Sequence, residues 1–239
     1  MKDYNYYSII TGEDIFTLIK EALLKKIKDH LSVNPFFTIA LSGGNTPRKL
    51  YRLLSEEKLP WEKLKIFPVD ERILPPDSEN LNWKMIKEEL LDKLPLSPMT
   101  FYPEDLYNDP KKASLELENL LKKEVSAKKD EIPAIDIILL GVGSDGHTAS
   151  LFPGSEALNE EKKLITITEG PPPFKQRITF TFPLIRSAGE RWFLISGKDK
   201  REILKKIFKE KNNILPAAKA STAEPSIWFV AHESIPEFD

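Results

Sequence analysis

The sequence predicts an α/β fold, a doubly wound, mostly parallel sheet with helices on both faces, built as one domain over residues 1–239. Short apolar runs rich in β-branched and aromatic residues recur along the chain. Stretches with apolar residues at helical spacing separate many of these runs, and prolines stand mostly between the two kinds of segment. Strands that alternate with helices usually pair in parallel and are covered on both faces, so this order indicates the layered α/β class.

The predicted strands and helices follow one another in chain order. The strands are FFTIAL (36–41), LKIFPV (64–69), AIDIILL (134–140), KLITIT (163–168), RITFTF (177–182), RWFLIS (191–196) and SIWFVA (226–231). Helices are predicted over 13–31, 80–94 and 111–129, where apolar residues recur at helical spacing. Ligands of such sheets bind at the carboxyl ends of the strands, so the residues that follow each strand are the candidates for a site.

Composition excludes several classes of function. The net charge of −2, from 35 basic and 37 acidic residues, predicts no general attraction to nucleic acid or to a membrane surface. Without cysteine the chain forms no disulfide and no thiolate metal site, and its three distant histidines make a metal site unexpected. The apolar runs are shorter than the roughly 20 residues that span a bilayer, and the N-terminus lacks a signal-peptide pattern, so we expect a cytoplasmic protein.

The first candidate segment is the turn that follows the strand FFTIAL. Ser42, Gly43 and Gly44 precede Thr46, which resembles a helix N-cap, and Pro47, which suits the first helical position. Glycines let a ligand approach the backbone, and the free N–H groups of a helix start favour an anion. We favour a phosphate site over a turn without a ligand. The G-K-[ST] ending of a P-loop is missing, so ATP is not implied.

The second candidate segment ends the strand LKIFPV. Asp70, Glu71 and Arg72 stand where the apolar run gives way to a proline-bounded loop. A carboxylate beside a guanidinium can position a proton or polarise an oxygen. The alternative is an exposed ion pair, and the position at a strand end makes the two interpretations about equally favoured.

The third candidate segment, GVGSDGHTASLFPG, contains the pattern G-x-G-x-x-G after an apolar run, and Glu169 lies near the distance expected of a ribose-binding acid. A dinucleotide turn must open a long helix, however, and Pro153-Gly154 interrupts this one within a few residues. We therefore predict another kind of site, in which His147 takes a proton from water and Asp145 sets its tautomer or orients a substrate hydroxyl. The alternative is a structural histidine.

The fourth candidate segment runs from RITFTF to FLISGKDK. Arg177 begins one strand, and Lys198 and Lys200 follow Gly197 where the next helix starts. Lysines near a helix N-terminus are unfavourable with the dipole unless an anion neutralises them, so one of the two lysines is a candidate phosphate ligand. The alternative is a solvated surface cluster. The chain has no G-x-S-x-G motif, which disfavours a serine hydrolase.

Taken together, the segments LSGGNTPRKLY, FPVDER, GVGSDGHTASLFPG and RITFTFPLI…FLISGKDK resemble, in the same order, the 6-phosphogluconolactonases of the glucosamine-6-phosphate isomerase/6-phosphogluconolactonase family. The resemblance covers most of the chain. It implies a fold similar to glucosamine-6-phosphate deaminases and ribose-5-phosphate isomerases. It also implies hydrolysis of 6-phospho-D-glucono-1,5-lactone, a carboxylic ester, in the pentose phosphate pathway, without a metal or organic cofactor.

The same resemblance implies roles for particular residues. His147 corresponds to the general base, with Asp145 beside it, and Asp70 and Arg72 to groups that position the substrate. The phosphate site would consist of Ser42, Gly43, Gly44, Asn45, Thr46, Arg177 and Lys200. Asn45 stands where the family usually has serine, and the run DSENLNW leaves open whether Asn80 or Asn82 reaches the site.

Two other functions are considered. A sugar-phosphate isomerase or aminosugar deaminase is possible on this scaffold, but in the deaminases the D-G-H loop continues with an acid, whereas here none occurs until Glu156. A sugar-phosphate sensor would need the same anion site but would have no use for His147. We expect a sugar-phosphate lactone as the partner, no nucleic acid or membrane, and a monomer or small homo-oligomer.

Overall fold

The computed structural model describes residues 7–127, 131–210, 212–222 and 226–236. Residues 1–6, on which the expectation about a signal peptide partly rests, lie outside the described residues. So do residues 128 and 129, at the end of the helix predicted over 111–129, and the predicted domain 1–239 extends over all of the gaps.

The described chain forms strands and helices that alternate through much of its length. The strands are β1 (Tyr7–Gly12), β2 (Phe37–Leu41), β3 (Leu64–Pro68), β4 (Asp70–Arg72), β5 (Met99–Thr100), β6 (Ile137–Leu140), β7 (Ile165–Glu169), β8 (Gln176–Phe180), β9 (Glu190–Ile195) and β10 (Ser226–Ala231). The helices are α1 (Ile15–Leu31), α2 (Asn45–Ser55), α3 (Asn82–Glu89), α4 (Pro110–Glu124), α5 (Phe182–Ser187), α6 (Arg201–Phe208) and α7 (Pro216–Ala220).

The main sheet has seven parallel strands in the order β1-β10-β9-β6-β2-β3-β5. Helices α1, α2 and α3 contribute to the core on one face, and α4 to α7 contribute to the core on the other. Successive residues of a strand point to opposite faces, so in β9 Trp192 joins the first core and Phe193 the second. The predicted doubly wound α/β fold is confirmed.

A second, three-stranded antiparallel sheet has the order β4-β8-β7. The strands predicted from KLITIT and RITFTF are present, but they lie in this sheet and not in the parallel one. Only residues 170–175 join β7 to β8, a connection that allows a hairpin but is too short for the crossover that a parallel pair needs. The prediction that residues 70–72 begin a loop was wrong, because they pair with β8 as β4.

The ends of the other elements differ modestly from the prediction. The helix predicted over 80–94 begins at Asn82 and ends at Glu89, and a separate 3₁₀ turn follows over Leu91–Lys93. Strands β1 and β5 were not predicted. Each helix in the described ranges is too short or too polar to span a membrane.

Candidate active site

Three adjacent strands of the main sheet, β2, β6 and β9, end at one edge, and a pocket of about 250 Å³ opens there. Because parallel strands bring their carboxyl ends together, segments that are distant in sequence meet at this pocket. Most of the predicted site residues lie in its wall, namely residues 42–46, Asp70, Arg72, His147, Arg177 and Lys200.

The loop after β6 fixes the orientation of His147. Asp145 Oδ1 lies 2.6 Å from Nδ1 of the imidazole and also accepts the backbone N–H of His147 at 3.1 Å. The ring of Phe152 packs against the imidazole, with the ring centroids 4.5 Å apart. A hydrogen bond from Nδ1–H to a carboxylate leaves Nε2 as the basic nitrogen of the ring, and this is the tautomer that a general base requires.

Asp145 carries a negative charge beside this imidazole. Partial burial raises the pKa of its carboxyl, but hydrogen bonds from the ring and the backbone of His147 outweigh that effect and hold the pKa below its usual value. The charged carboxylate stabilises the imidazolium that forms when His147 accepts a proton. The pair is therefore suited to a histidine that accepts a proton in one step of a reaction and returns it in a later step.

Gly143 is a site residue that the sequence analysis did not single out. A Cβ built on Gly143 would lie 2.1 Å from Nδ1 of His147 and 2.6 Å from Oδ1 of Asp145. Only a residue without a side chain lets this loop close over the pair. The signal was present in the sequence as the second glycine of G-V-G-S-D-G, a pattern that serves here to make room for the imidazole.

The turn after β2 starts its helix two residues earlier than predicted, at Asn45 and not at Pro47. Gly44, with φ of 102°, is the N-cap of α2, and no side chain caps the helix, so the prediction of Thr46 as the N-cap was wrong. The left-handed φ turns the chain at Gly44, a conformation that glycine adopts without strain. Pro47 becomes the third helical residue, where its missing N–H costs no helical hydrogen bond. The helix start, with uncapped N–H groups, lies in the pocket wall.

Ser42 differs from the other residues of this turn because it is buried. Its hydroxyl donates to the carbonyl oxygen of Leu139 at 2.6 Å, and its own carbonyl oxygen accepts from the Tyr51 hydroxyl at 2.6 Å. The hydroxyl hydrogen of Ser42 is therefore engaged within the protein. These two contacts hold the turn against β6 and α2.

The structure distinguishes the two asparagines that the sequence left open. Asn82 lies in the pocket wall, and its Nδ2 donates to the carbonyl oxygen of Asp70 at 3.0 Å. A Cβ on Gly43 would lie 1.9 Å from Oδ1 of Asn82. Gly43 is therefore a second glycine of this site that makes room for a neighbouring side chain, here that of Asn82. Asn80 contributes its backbone carbonyl, which accepts a hydrogen bond from Arg72.

Asp70 is buried at the pocket, where one of its carboxylate oxygens has a partner inside the protein. Oδ2 accepts from the Ser150 hydroxyl at 2.5 Å, and the backbone N–H of Ser150 donates to Oγ1 of Thr179 at 3.0 Å. Ser150 was not predicted as a site residue, because its role depends on the pairing of β4 with β8. The contact fixes the carboxylate and leaves it facing the pocket.

Arg72 and Arg177 are direct partners across the antiparallel pair of β4 and β8. Arg177 donates from Nε to the carbonyl oxygen of Phe174 at 3.1 Å, and Nε of Arg72 is buried without a hydrogen-bond partner. Burial lowers the pKa of Arg177, with the carboxylate of Asp70 acting in the opposite direction. Like charges directly opposite each other are destabilising, so this arrangement favours an anionic ligand.

Lys200 and not Lys198 lies in the pocket wall. Gly197, with φ of 116°, turns the chain after β9, and a 3₁₀ turn over Lys198–Lys200 leads into α6. The Lys200 ammonium lies 3.1 Å from Oδ2 of Asp199. Lys198 is exposed. The predicted cluster of lysines therefore places one cation at the pocket.

The structure excludes the dinucleotide interpretation of G-V-G-S-D-G. No α-helix begins between β6 and β7, where the chain forms a single 3₁₀ turn over Glu156–Asn159. Glu169 ends a strand of the antiparallel sheet. A nicotinamide site needs a crossover helix that packs on the sheet, and this segment does not supply one. Within the described ranges, no group of three or more His, Cys, Asp or Glu side chains could hold a metal ion.

Comparison with known proteins finds sugar-phosphate enzymes that are similar to this chain. The family model described as glucosamine-6-phosphate isomerases/6-phosphogluconolactonase matches residues 11–228. A 6-phosphogluconolactonase from Nostoc sp. is 38% identical over 191 residues, which cover 79% of this chain and 78% of that protein. One from Synechocystis sp. is 41% identical over 174 residues, which cover 72% of this chain and 71% of that protein.

A plant relative and two solved structures that are similar to this chain are also 6-phosphogluconolactonases. The chloroplastic 6-phosphogluconolactonase 3 of Arabidopsis thaliana is 33% identical over 204 residues, which cover 81% of this chain but 63% of that longer protein. The crystal structure of the 6-phosphogluconolactonase from Thermotoga maritima superposes with a TM-score of 0.83 at 29% identity, covering 94% of this chain and 99% of that one. The Trypanosoma cruzi enzyme gives 0.84 at 29% identity, with 95% of each chain covered.

Proposed function

The chain belongs to the glucosamine-6-phosphate isomerase/6-phosphogluconolactonase family, and we propose that its pocket carries out the lactonase reaction with His147 as the general base. The enzyme is a hydrolase that converts 6-phospho-D-glucono-1,5-lactone to 6-phospho-D-gluconate, a step of the pentose phosphate pathway. The observation that supports these residue assignments is that one pocket is lined by His147, Arg72, Arg177 and Lys200. Asp145 does not line the pocket and acts by orienting His147.

In the proposed mechanism Nε2 of His147 removes a proton from a water molecule that attacks the lactone carbonyl. The carbonyl oxygen becomes an oxyanion, for which the Arg72 guanidinium and the N–H groups of the loops are the donors. The bond from C1 to the ring oxygen then breaks, and the ring oxygen takes the proton from the His147 imidazolium. Water is consumed, the imidazole returns to its neutral form, and Asp145 keeps its orientation throughout.

The phosphate lies far from the reacting carbon, so the binding energy of the phosphate can hold the ring for attack. We propose Arg177, Lys200 and the uncapped start of α2, with residues 42–46, as its binding groups. Asp70, held by Ser150, is proposed to orient a substrate hydroxyl. Ser42 would contribute through the shape of the turn, because its hydroxyl hydrogen is already donated to Leu139.

A coupled assay tests the proposed function. The lactone is supplied, and 6-phosphogluconate is followed with its dehydrogenase after the uncatalysed ring opening has been subtracted. We expect a rate proportional to enzyme concentration that saturates with substrate. A rate equal to that of buffer alone would refute the assignment.

The aminosugar deaminase is disfavoured by the residue that follows His147. Thr148 is buried and donates from its hydroxyl to the carbonyl oxygen of Gly141 at 2.8 Å, so this position offers no acid for opening an aminosugar ring. Incubation with glucosamine 6-phosphate should therefore release no ammonia above background. Ammonia release at the rate of lactone hydrolysis would reverse the choice.

We propose one domain, a monomer or small homo-oligomer, and a location in the cytoplasm, although plant relatives include chloroplastic proteins. A sugar-phosphate lactone is the proposed partner, without a nucleic acid.

A further inference from the structure

Glu71 is completely buried between the two proposed substrate-positioning residues of β4. Alternate residues of a strand point in opposite directions, so Glu71 faces away from the pocket that Asp70 and Arg72 line. The proposed mechanism gives Glu71 no chemical step. A buried carboxylate is unfavourable unless hydrogen bonds compensate for lost hydration, so its partners indicate what it does.

The partners of Glu71 are three backbone N–H groups at the two ends of one loop. Oε1 accepts from the N–H of Arg72 at 2.7 Å and of Asn82 at 2.8 Å, and Oε2 accepts from the N–H of Trp83 at 2.7 Å. Arg72 ends β4, and Asn82 and Trp83 begin α3, whose first N–H groups have no helical partner. One carboxylate therefore fastens both ends of the 73–81 loop.

The residues at the fastened ends reach the pocket. Arg72 and Asn82 both line it, Asn82 donates from its side chain to the carbonyl oxygen of Asp70, and its Oδ1 lies against Gly43. The guanidinium of Arg72 donates to the carbonyl oxygen of Asn80, which belongs to the same loop. A change in the ends of the loop would thus move both a cation and an amide of the site.

We propose that Glu71 is a positioning residue that sets Arg72 and Asn82 for catalysis by holding both ends of the 73–81 loop. The proposal rests on the proposed function, because positioning matters only if the pocket carries out the reaction. It adds to that function a residue which touches no substrate atom and acts through backbone N–H groups.

The charges around Glu71 make its protonation state part of this role. Burial raises the pKa of Glu71 to about 7, the three N–H groups oppose that shift, and the charge of Asp70 adds to it. Arg177 on β8 and Tyr102 after β5 are the other titratable groups that interact with its charge. A protonated carboxyl is a weaker acceptor, so acidification loosens the hold on the loop.

The first test compares two isosteric substitutions of carboxylates that accept backbone N–H groups. Glu71→Gln replaces one acceptor oxygen with a donor, and we expect kcat/KM to fall by about 10- to 100-fold through misplacement of the site. Glu118→Gln is the matched control, since Glu118 accepts from the N–H of Leu164 and Ile165 away from the pocket. It should change kcat/KM by no more than about twofold. Equal losses in the two variants would refute the proposal.

A double-mutant cycle separates positioning from general support of the fold. In an Arg72→Ala, Asn82→Ala background the side chains that Glu71 positions are gone, so Glu71→Gln should lower kcat/KM further by less than about threefold. The same factor in the wild-type and the substituted background would contradict the proposal. If the wild-type enzyme does not hydrolyse the lactone at all, it is the proposed function that fails.

A measurement on the unaltered enzyme decides the question even if Glu71→Gln does not fold. The backbone amide signals of Arg72, Asn82 and Trp83 are followed by NMR from about pH 4 to about pH 9. We expect the three signals and the side-chain amide of Asn82 to move together through one titration, because one carboxyl holds them all. If these signals moved independently of one another, or did not move, the proposed role of Glu71 would be overturned whether or not the enzyme hydrolyses the lactone.

Discussion

Around the imidazole of His147, one neighbour determines which ring nitrogen is basic and two others determine where the ring lies. Asp145 occupies Nδ1, Gly143 leaves room for the ring, and the ring of Phe152 packs against it at a tilt. The arrangement resembles the carboxylate–histidine pairs that orient a general base, in which the carboxylate keeps its charge. At the scale of single residues, the chemistry therefore depends on one hydrogen bond and one missing side chain.

Replacement of His147 by alanine tests the base directly. We expect kcat for the lactone to fall by about 10²- to 10⁴-fold, since a general base contributes this much. The control is His30→Ala, because the His30 ring contacts the carbonyl oxygen of Phe36 and is not part of the pocket wall. Both are measured in the coupled assay. Full activity of the His147 variant would show that another group removes the proton.

Gly143→Ala should disable the enzyme without removing any catalytic group. The added methyl would overlap the imidazole, so His147 must leave its position, and we expect kcat to fall by about tenfold or more. At Gly141, which also lines the pocket, a Cβ meets no protein atom within 4 Å, so alanine there should leave the imidazole in place and lower kcat less. Equal activity of the two variants, each shown by circular dichroism to be folded, would mean that His147 does not depend on this space.

Arg177 should act on binding, because its proposed partner is the phosphate. Arg177→Ala is expected to raise KM by about tenfold or more while changing kcat less. Arg186→Ala is a close match as a control: both guanidiniums stack on a phenylalanine ring, both donate to a backbone carbonyl, and burial lowers both pKa values. Arg186 does not line the pocket. An unchanged KM in the Arg177 variant would remove that residue from the phosphate site.

At the scale of elements, Glu89 joins the helix that begins at the phosphate turn to the helix that carries Asn82. It lies at the end of α3 and accepts from Arg48 at 2.7 Å and from Arg52 at 2.5 Å, both on α2, while Lys93 lies at 3.3 Å. The hydrogen bonds from Arg52 and then Arg48 and Lys93 lower the pKa of Glu89 to about 2, against the effect of desolvation. The α2–α3 contact should therefore depend on pH.

The sign of this dependence follows from the lowered pKa. The stabilisation by Glu89 is present above its unfolded pKa of 4.5 and is lost as the pH falls toward about 2. Glu89→Gln should lower the free energy of unfolding by about 1–2 kcal/mol at pH 7, since the cations are partly exposed and screened. Urea titrations should show the difference shrinking below pH 4.5. The exposed Glu79, paired with Lys84, serves as the control, and a difference that does not change with pH would contradict the account.

The antiparallel sheet is the element that completes the site. Pairing of β4 with β8 brings Asp70 opposite Thr179 and Arg72 opposite Arg177. The parallel sheet alone would supply the residues of the 42–46 turn, His147 and Lys200 but neither arginine. The second sheet thus adds guanidinium groups to an edge where the first provides the base and the helix start.

At the scale of the whole molecule, much of the architecture could be predicted from the sequence because each central strand is buried on both faces. The central parts of two such runs, IILL at 137–140 and WFLI at 192–195, lack polar residues, and this marks the interior of a parallel sheet. Their ends also marked the candidate site residues, since ligands bind at that edge. The sequence could therefore indicate which segments meet at the site, but it could not give the distances between their residues.

The remaining features depend on partners that sequence periodicity does not identify. The segments KLITIT and RITFTF were predicted as strands from their residues. The six-residue connection between them is what makes the two strands pair antiparallel, in a sheet separate from the parallel one. Thr46 and Pro47 resemble a helix start, yet Gly44 with its left-handed φ is the N-cap, so the helix starts two residues earlier. Ser150 gains its role through a contact with the distant Asp70, so its residue type alone gave no signal. Asn82 and Gly143 stood in segments that the sequence singled out, but the contacts that distinguish Asn82 from Asn80 and place Gly143 beside the imidazole depend on the fold.

The central claim is that one pocket binds a phosphate at one end and activates water at the other. The most direct test is the ratio of kcat/KM for 6-phosphogluconolactone to kcat/KM for unphosphorylated gluconolactone, measured for the wild type and for Arg177→Ala. We predict a strong preference for the phosphorylated lactone, about 10²-fold or more, that falls at least about tenfold in the variant. A wild-type enzyme that hydrolyses both lactones equally well, or a variant that keeps the full preference, would contradict the account.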